Sequence, residues 1–496
     1  MKRYIYTLLF VFILGACDKG FEDLNVNPTK PVQVNVANKL TAAQLFASSQ
    51  RYDNWRANLI YQSTMMQHFS ATAGYWNGDK YTWNRGYASS LMDRYYENAV
   101  KTLEDMLAQL NNEEAPDEMK AITRIMRVFV FSRLTDLYGD VPYSEAGKAV
   151  LEGILTPKYD PQSEIYADML KELEESAAAL GSGTSGFGSA DIIYNGDQAK
   201  WKRLANSLML RLGFRLIKVD PTGAQSWVTK AISGGVMQSN EDIFYVPHTD
   251  GPAGENRNGN GEVFQADGNM RMSETFIDFM KNANDPRLPV LAARRSDGST
   301  AFADLKGLPN GLDNSTLEGA TGEADLDPFA EPNRSVITGL DAPMFFQTYA
   351  EVEFMLAEAN VRWGLAGDAA THYNNGVRAA MEMLALYGDG GVIDSGDIDT
   401  YLANNPYDAG NAIEQINTQY WAATFLNEYE SFSNWRRTGF PALVPVVYPG
   451  NVTNGTIPRR MSYSESEQTN NPDNYAEAIS RQGPDELTTR VWWDVN

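Results

Sequence analysis

A single cysteine in 496 residues excludes any disulfide within the chain. Basic residues are also scarce: 41 Lys and Arg stand against 64 Asp and Glu, for a net charge of −23. Such an acidic surface disfavours nucleic acid and anionic lipid headgroups as partners. After Leu14 no apolar run approaches the 18 residues that a membrane-spanning helix needs. Histidine is nearly absent, and His68, His248 and His372 show no metal-ligand spacing. No zinc motif, phosphate loop or Ser-His-Asp order is present, so no catalytic residue, metal or cofactor is assigned. Among 64 acids no carboxylate pair stands out as catalytic.

The one cysteine is placed tellingly. The chain opens Met1-Lys2-Arg3, stays apolar from Tyr4 to Leu14, and then reads Leu14-Gly15-Ala16-Cys17. A basic start, a short apolar stretch and small residues before a cut site describe a secretory signal over residues 1–16. A thiol directly after that cut predicts lipid attachment at Cys17, the pattern of a bacterial lipoprotein. Each buried CH₂ adds about 0.8 kcal/mol, and stable anchoring needs more than one acyl chain. Residues 17–35, with Asn25-Val26-Asn27-Pro28, are polar and turn-rich and read as a lipidated tether. Residues 36–496 are expected to form a single body.

Hydrophobic residues make up 43 % of the chain, ordinary for a folded globule. Their spacing predicts a mainly α protein. From Ala88 to Leu110 apolar positions recur every three and four residues. Ile122 to Leu137 repeats the pattern up to Gly139, Ile165 to Leu173 follows Pro161, and Trp201 to Leu212 makes a fourth stripe. Tyr349–Trp363 and Ala369–Leu384, joined through Gly364–Gly367, predict an αα-hairpin with tetratricopeptide-like spacing, although no 34-residue period runs through the chain. A last long helix is expected from about Ala412 to Phe432. The stretches 181–197, 247–269, 294–342, 388–411 and 448–486 are rich in Gly, Asn, Asp, Ser or Pro and read as long loops between helices.

Residues 75–87 hold five aromatics in 13 positions, interleaved with amides and charges. Flat aromatic faces beside hydrogen-bonding side chains suit sugar rings. Tyr75, Trp76, Asn77, Asp79, Tyr81, Trp83 and Arg85 are therefore candidate ligand-binding residues; the other reading is a loop pinned to the core by its aromatics. Thr135–Ala146 reads as a helix end closed by Gly139 and Pro142. Asn256–Asp267 has a faint calcium-loop spacing but lacks the acid at its first position and the final Glu, so a polar turn or ligand-facing loop is the better reading.

Several segments together resemble one family. They are the lipobox start, the Asn25–Pro28 tether, Arg85-Gly86-Tyr87 leading to Arg94–Asn98, Leu134–Tyr143, Glu353–Ala359, Asn434–Gly439, Ile457–Arg460 and Trp492-Trp493-Asp494. Over essentially its whole length the chain is similar to the SusD/RagB nutrient-binding lipoproteins. That resemblance implies a mainly α fold with tetratricopeptide-like helix pairs on one side and a long-loop ligand-binding side on the other. It implies a non-enzymatic protein, lipid-anchored at the outer membrane and facing the exterior. Its partner would be a SusC-type TonB-dependent transporter, and its ligand an oligosaccharide, or in some members a peptide. An envelope glycoside hydrolase is the remote alternative.

Overall fold

The computed structural model describes residues 34–495 apart from Glu255. The signal segment, Cys17 and residues 17–33 of the tether lie outside the described residues. Helix α1 (Val36–Ser48) starts where the Asn35 side chain accepts the Ala37 N–H at 2.8 Å. Helix α2 opens at Arg51–Asp53 and continues as the π-helical segment Asn54–Ser63. Helix α3 comprises Ser90–Arg94, a π-helical segment Tyr95–Val100, and Lys101–Asn112. Then come α4 (Asp117–Tyr138), α5 (Gln162–Ala179), α6 (Gln198–Arg215) and α7 (Pro221–Gly234). From α3 to α7 each helix packs on the next, and α1 lies against α3 and α4. The predicted stripes are the buried faces: Ile122, Met126, Phe129 and Leu134 of α4, and Trp201, Leu204 and Leu208 of α6, are fully enclosed. Gly139 ends α4 at φ +82°, a conformation that costs glycine nothing.

The expected hairpin is present as α8 (Tyr349–Trp363) and α9 (Ala369–Glu382). Its first helix carries a capping box, with Thr348 and Glu351 satisfying each other's backbone N–H groups. His372 closes it. Nδ1 meets Glu353 Oε2 at 2.6 Å and Nε2 meets the Ala366 carbonyl at 2.5 Å. Two acceptors require a doubly protonated ring.

One predicted helix is two. Instead of a continuous Ala412–Phe432 helix, α10 (Ala412–Ala423) stops and α11 (Glu428–Thr438) starts afresh. The break is made by tertiary contacts. Asn58 of α2 donates to the Leu426 carbonyl at 3.1 Å and accepts the Glu428 N–H at 3.1 Å, and Leu426 takes φ +70°. The stretches expected as long loops also hold regular structure, including the helices Gly259–Ala266 and Ser395–Asn404, capped by Asn258 and Asp394. Among the described residues sheet is limited to four antiparallel pairs, one of them β1 (Phe69–Ala71) with β5 (Met270–Met272). The remaining strands are β2 (Val141–Pro142), β3 (Tyr159–Asp160), β4 (Phe244–Val246), β6 (Ala292–Arg294), β7 (Ala330–Pro332) and β8 (Met344–Gln347). One apolar cluster extends from Val36 to Trp493.

Charge runs through this core. Arg211 of α6 donates to Glu351 of α8 at 2.6 Å, and Arg215 donates to both oxygens of Glu430 of α11 at 2.7 Å. Tyr420 bonds Glu351 and Glu430 at 3.0 and 2.8 Å. Arg215 also reaches Asp136 of α4, whose other oxygen accepts Trp493 Nε1 at 3.0 Å. A second knot joins Arg437 of α11 to Glu358 of α8 through two bonds of 2.7 Å, with Arg362 as a further donor. Burial alone would raise the Glu358 pKa; Arg437 and then Arg362 outweigh it and hold the carboxyl at about 2.

Two predictions follow from these charges. Glu358→Gln leaves Arg437 buried without its anion and should cost about 3 kcal/mol of unfolding free energy. Because the folded pKa lies below the ordinary carboxylate value, the Glu358 contribution is full above about pH 4.5 and fades as pH falls toward 2. Urea titrations across that range should show a flatter acid slope in the variant. His372 runs the other way: its Glu353 bond, against burial and with the Ala366 carbonyl, raises the imidazole pKa. Its contribution is full below the ordinary imidazole value and is lost as pH rises through the raised one. His372→Gln should therefore destabilise by about 1 kcal/mol at pH 6, with the difference from the wild type shrinking at higher pH.

Candidate ligand-binding site

The aromatic segment expected to form one surface is divided among three environments. Its middle is core. Trp76 and Tyr81 are fully buried, so neither ring offers a face to a ligand. Gly78 lies against the backbone of α2, where a Cβ would come within 2.4 Å of the Ile60 carbonyl. Asp79 is enclosed too, accepting from Asn310 Nδ2 at 2.6 Å and from the Gly311 N–H at 3.0 Å. Burial raises its pKa, against the neighbouring Lys80, whose own ammonium donates to the Ala71 carbonyl at 2.7 Å. Trp76, Asp79 and Tyr81 are thus corrected from ligand candidates to residues that pin the loop. The physical reason is depth: the loop folds inward across α2 instead of lying on the surface.

The second environment is the carboxy-terminal segment. The Arg85 guanidinium lies 4.0 Å from the centroid of the half-buried Trp83 ring, and Trp83 Nε1 donates to Ser462 at 3.2 Å. Arg85 is tied to Asp485 at 2.9 Å, which also holds Arg460. Asn77 is half-buried and donates to Thr82 Oγ1 at 2.9 Å.

The third environment is an aromatic platform that faces solvent. Tyr75 joins Trp55 at 5.6 Å between centroids; Trp55 in turn meets Tyr87 at 5.9 Å and Tyr52 at 6.4 Å. Tyr52 is 55 % exposed. Tyr52 and Trp55 stand three residues apart on α2, so both project from one face of the helix. Asp267 holds the platform from below: it accepts Trp55 Nε1 at 2.8 Å and the Tyr75 hydroxyl at 2.9 Å. Asn269 donates to the Tyr75 oxygen at 2.7 Å. Burial, together with the Asp267 carboxylate, pushes the Tyr75 pKa up to about 12. The ring hydrogen bonds are therefore spent on orientation.

Arg56 completes the surface. Its guanidinium lies 5.6 Å from the Tyr52 ring and 5.2 Å from the Tyr87 ring, and its buried Nε has no acceptor. Its terminal nitrogens are not enclosed and can donate to a ligand oxygen. Sequence reading found only Tyr75 among these residues. The available signal was the Tyr52–Trp55–Arg56 spacing in a helix start; Asp267 and Asn269 join the platform through tertiary packing, at the end of the helix Gly259–Ala266 that lies on α2 and just before β5. Among the described residues no cluster of His, Cys, Asp or Glu could hold a metal, and no helix is long and apolar enough to cross a membrane.

Residues 28–464 match the SusD-like family model described as starch-binding and associating with the outer membrane. Among solved structures, a chitin-binding protein superposes with a TM-score of 0.84 at 34 % identity, covering 93 % of this chain and 100 % of its own. A Bacteroidetes AC2a SusD-like protein gives 0.82 at 26 %, covering 93 % and 100 %. A chitin-binding SusD homologue from Flavobacterium johnsoniae gives 0.76 at 25 %, covering 93 % and 98 %. No curated protein matches the chain.

The division between buried and exposed aromatics predicts different outcomes for two ring deletions. Trp76→Ala opens a core cavity and should cost about 3–5 kcal/mol of stability. Tyr52→Ala removes an exposed ring and should leave the unfolding free energy within about 0.5 kcal/mol of the wild type. Thermal unfolding of both variants checks the assignment.

Proposed function

Since the chain belongs to the SusD/RagB family of outer-membrane-associated nutrient-binding proteins, we propose that it captures oligosaccharides on the Tyr52–Trp55–Tyr75–Tyr87 platform and passes them to a SusC-type TonB-dependent transporter. The observation that carries this reading is the platform itself: the exposed Tyr52 ring continued by the half-buried Trp55, Tyr75 and Tyr87, locked from below by Asp267, beside the Arg56 guanidinium. Acylation at Cys17 would hold the body at the cell exterior, with residues 18–35 as tether. No chemical step is needed; binding and release suffice.

Chitin fragments are the favoured ligand. Two of the structural relatives are chitin-binding proteins. N-acetyl groups place a carbonyl oxygen beside each ring, and Arg56 is positioned to donate to one. Each aromatic contact contributes about 0.5–1.5 kcal/mol and each hydrogen bond about 1 kcal/mol, so affinity is modest and suits handover. Trp83 and Arg85 could extend the surface only if Arg85 left Asp485, and Asn77 only if it left Thr82; they are secondary candidates.

Calorimetry of the mature protein with N-acetylglucosamine oligomers should show binding that falls about tenfold or more in Trp55→Ala and by about 1–2 kcal/mol in Arg56→Gln. Binding to peptides, with no heat from any glycan, sinks the reading.

A further inference from the structure

Beyond the platform, two clefts of about 410 and 280 Å³ adjoin in a groove, sharing Ala283 and Tyr401 in their walls. It lies at the end of the helix Glu274–Asn282, which begins just after β5. Nine residues of helix, about 13 Å, separate it from the Asp267–Asn269 side of the platform. Its floor is apolar, from Tyr401, Phe279, Phe302 and Pro289. Its walls carry Asn284, Asn404, Asn411 and Thr418, whose side chains make no hydrogen bond among the described residues. At the base, Tyr373 is only 1 % exposed, lines the second cleft, and its hydroxyl has no hydrogen-bond partner; its ring packs on Phe354 and Tyr407. A phenol oxygen that reaches solvent at the cleft and has no protein acceptor is free to donate to a ligand oxygen.

The charges select the ligand. Asp394, Asp397, Asp408 and Glu414 line the groove, and no lysine or arginine does. Neither Asp397 nor Glu414 has an ion pair among the described residues. Uronic and sulfated sugars are repelled, while amino sugars gain a counter-charge.

We propose that this groove is a second saccharide site, separate from the platform, that takes glucosamine-containing oligomers. It rests on the glycan-binding reading of the chain but not on the platform's ligand. Apolar ring faces would lie on the half-buried Phe279 and Phe302, hydroxyls would meet the unspent amides and the Tyr373 phenol, and ammonium groups would face Asp397 and Glu414.

The test titrates the mature protein with glucosamine hexamer and with N-acetylglucosamine hexamer. Three forms are compared: wild type, a platform variant (Tyr52→Ala with Trp55→Ala), and a groove variant (Asp397→Asn with Glu414→Gln). All groove changes are at exposed positions, and Asn404→Lys serves as an independent block. The proposal expects glucosamine hexamer to bind the platform variant as it binds wild type, to weaken about tenfold in both groove variants, and to weaken with salt. Loss of that binding in the platform variant, or no change in the groove variants, overturns the second site and leaves the platform reading standing. Failure of N-acetylglucosamine hexamer to bind wild type, with the glucosamine response still tracking the groove variants, overturns the platform's ligand and supports the groove. A wild type that binds neither sugar overturns both.

Discussion

The buried carboxylates of α11 govern where everything else can stand. Glu430 is drawn to Arg211 and Arg215 of α6. Two residues earlier, Glu428 bonds His68 at 2.7 Å and caps the Leu426 N–H at 2.9 Å. Removing one member of such a set strands a charge in a low-dielectric interior, which costs more than any single apolar contact returns. The helix is therefore fixed in register. Through Asn58 it fixes α2, three residues from Trp55. The platform's position is a consequence of charge pairing deep in the core.

The same logic explains what the family motifs do. Arg437 holds Glu358, Arg459 holds Asp494, Arg460 holds Asp485, and Asp136 gathers Arg215, Tyr166 and Trp493. The segments on which the resemblance rests are the bolts of the scaffold. Of these segments only Arg85-Gly86-Tyr87 touches the platform, through the Tyr87 ring. A chain can thus be recognisable as a nutrient-binding protein while its ligand-contacting residues differ, because the surface that touches the nutrient is carried by loops and one helix start that the bolts position but do not specify.

Much of the helical architecture was legible because each helix buries a stripe with a period that only a helix can produce. The α8–α9 hairpin, the end of α4 at Gly139 and the stapled Thr135–Ala146 corner all emerge from local spacing and capping chemistry. The corner is held as expected for a closed helix end, with Asp160 accepting from Tyr143 and Ser144. The single Ala412–Phe432 helix was misjudged because its periodicity continues across residues 424–427, while the break is imposed by Asn58, over 360 residues away in the chain.

Binding residues were legible by type but not by place. Composition marks residues 75–87 as an aromatic segment, yet periodicity cannot say which rings turn inward when no regular element governs the loop. Trp76 and Tyr81 turn in because α2 lies beneath them; the Tyr75 hydroxyl is held by Asp267, which ends the helix Gly259–Ala266 just before β5. The amino-acid sequence by itself determined the helices, their caps and the segments that mark the family, since those depend on neighbours a few residues apart. Only the tertiary structure decided which aromatics meet solvent, because that depends on contacts between residues some 200 positions apart, brought together when the buried ion pairs close.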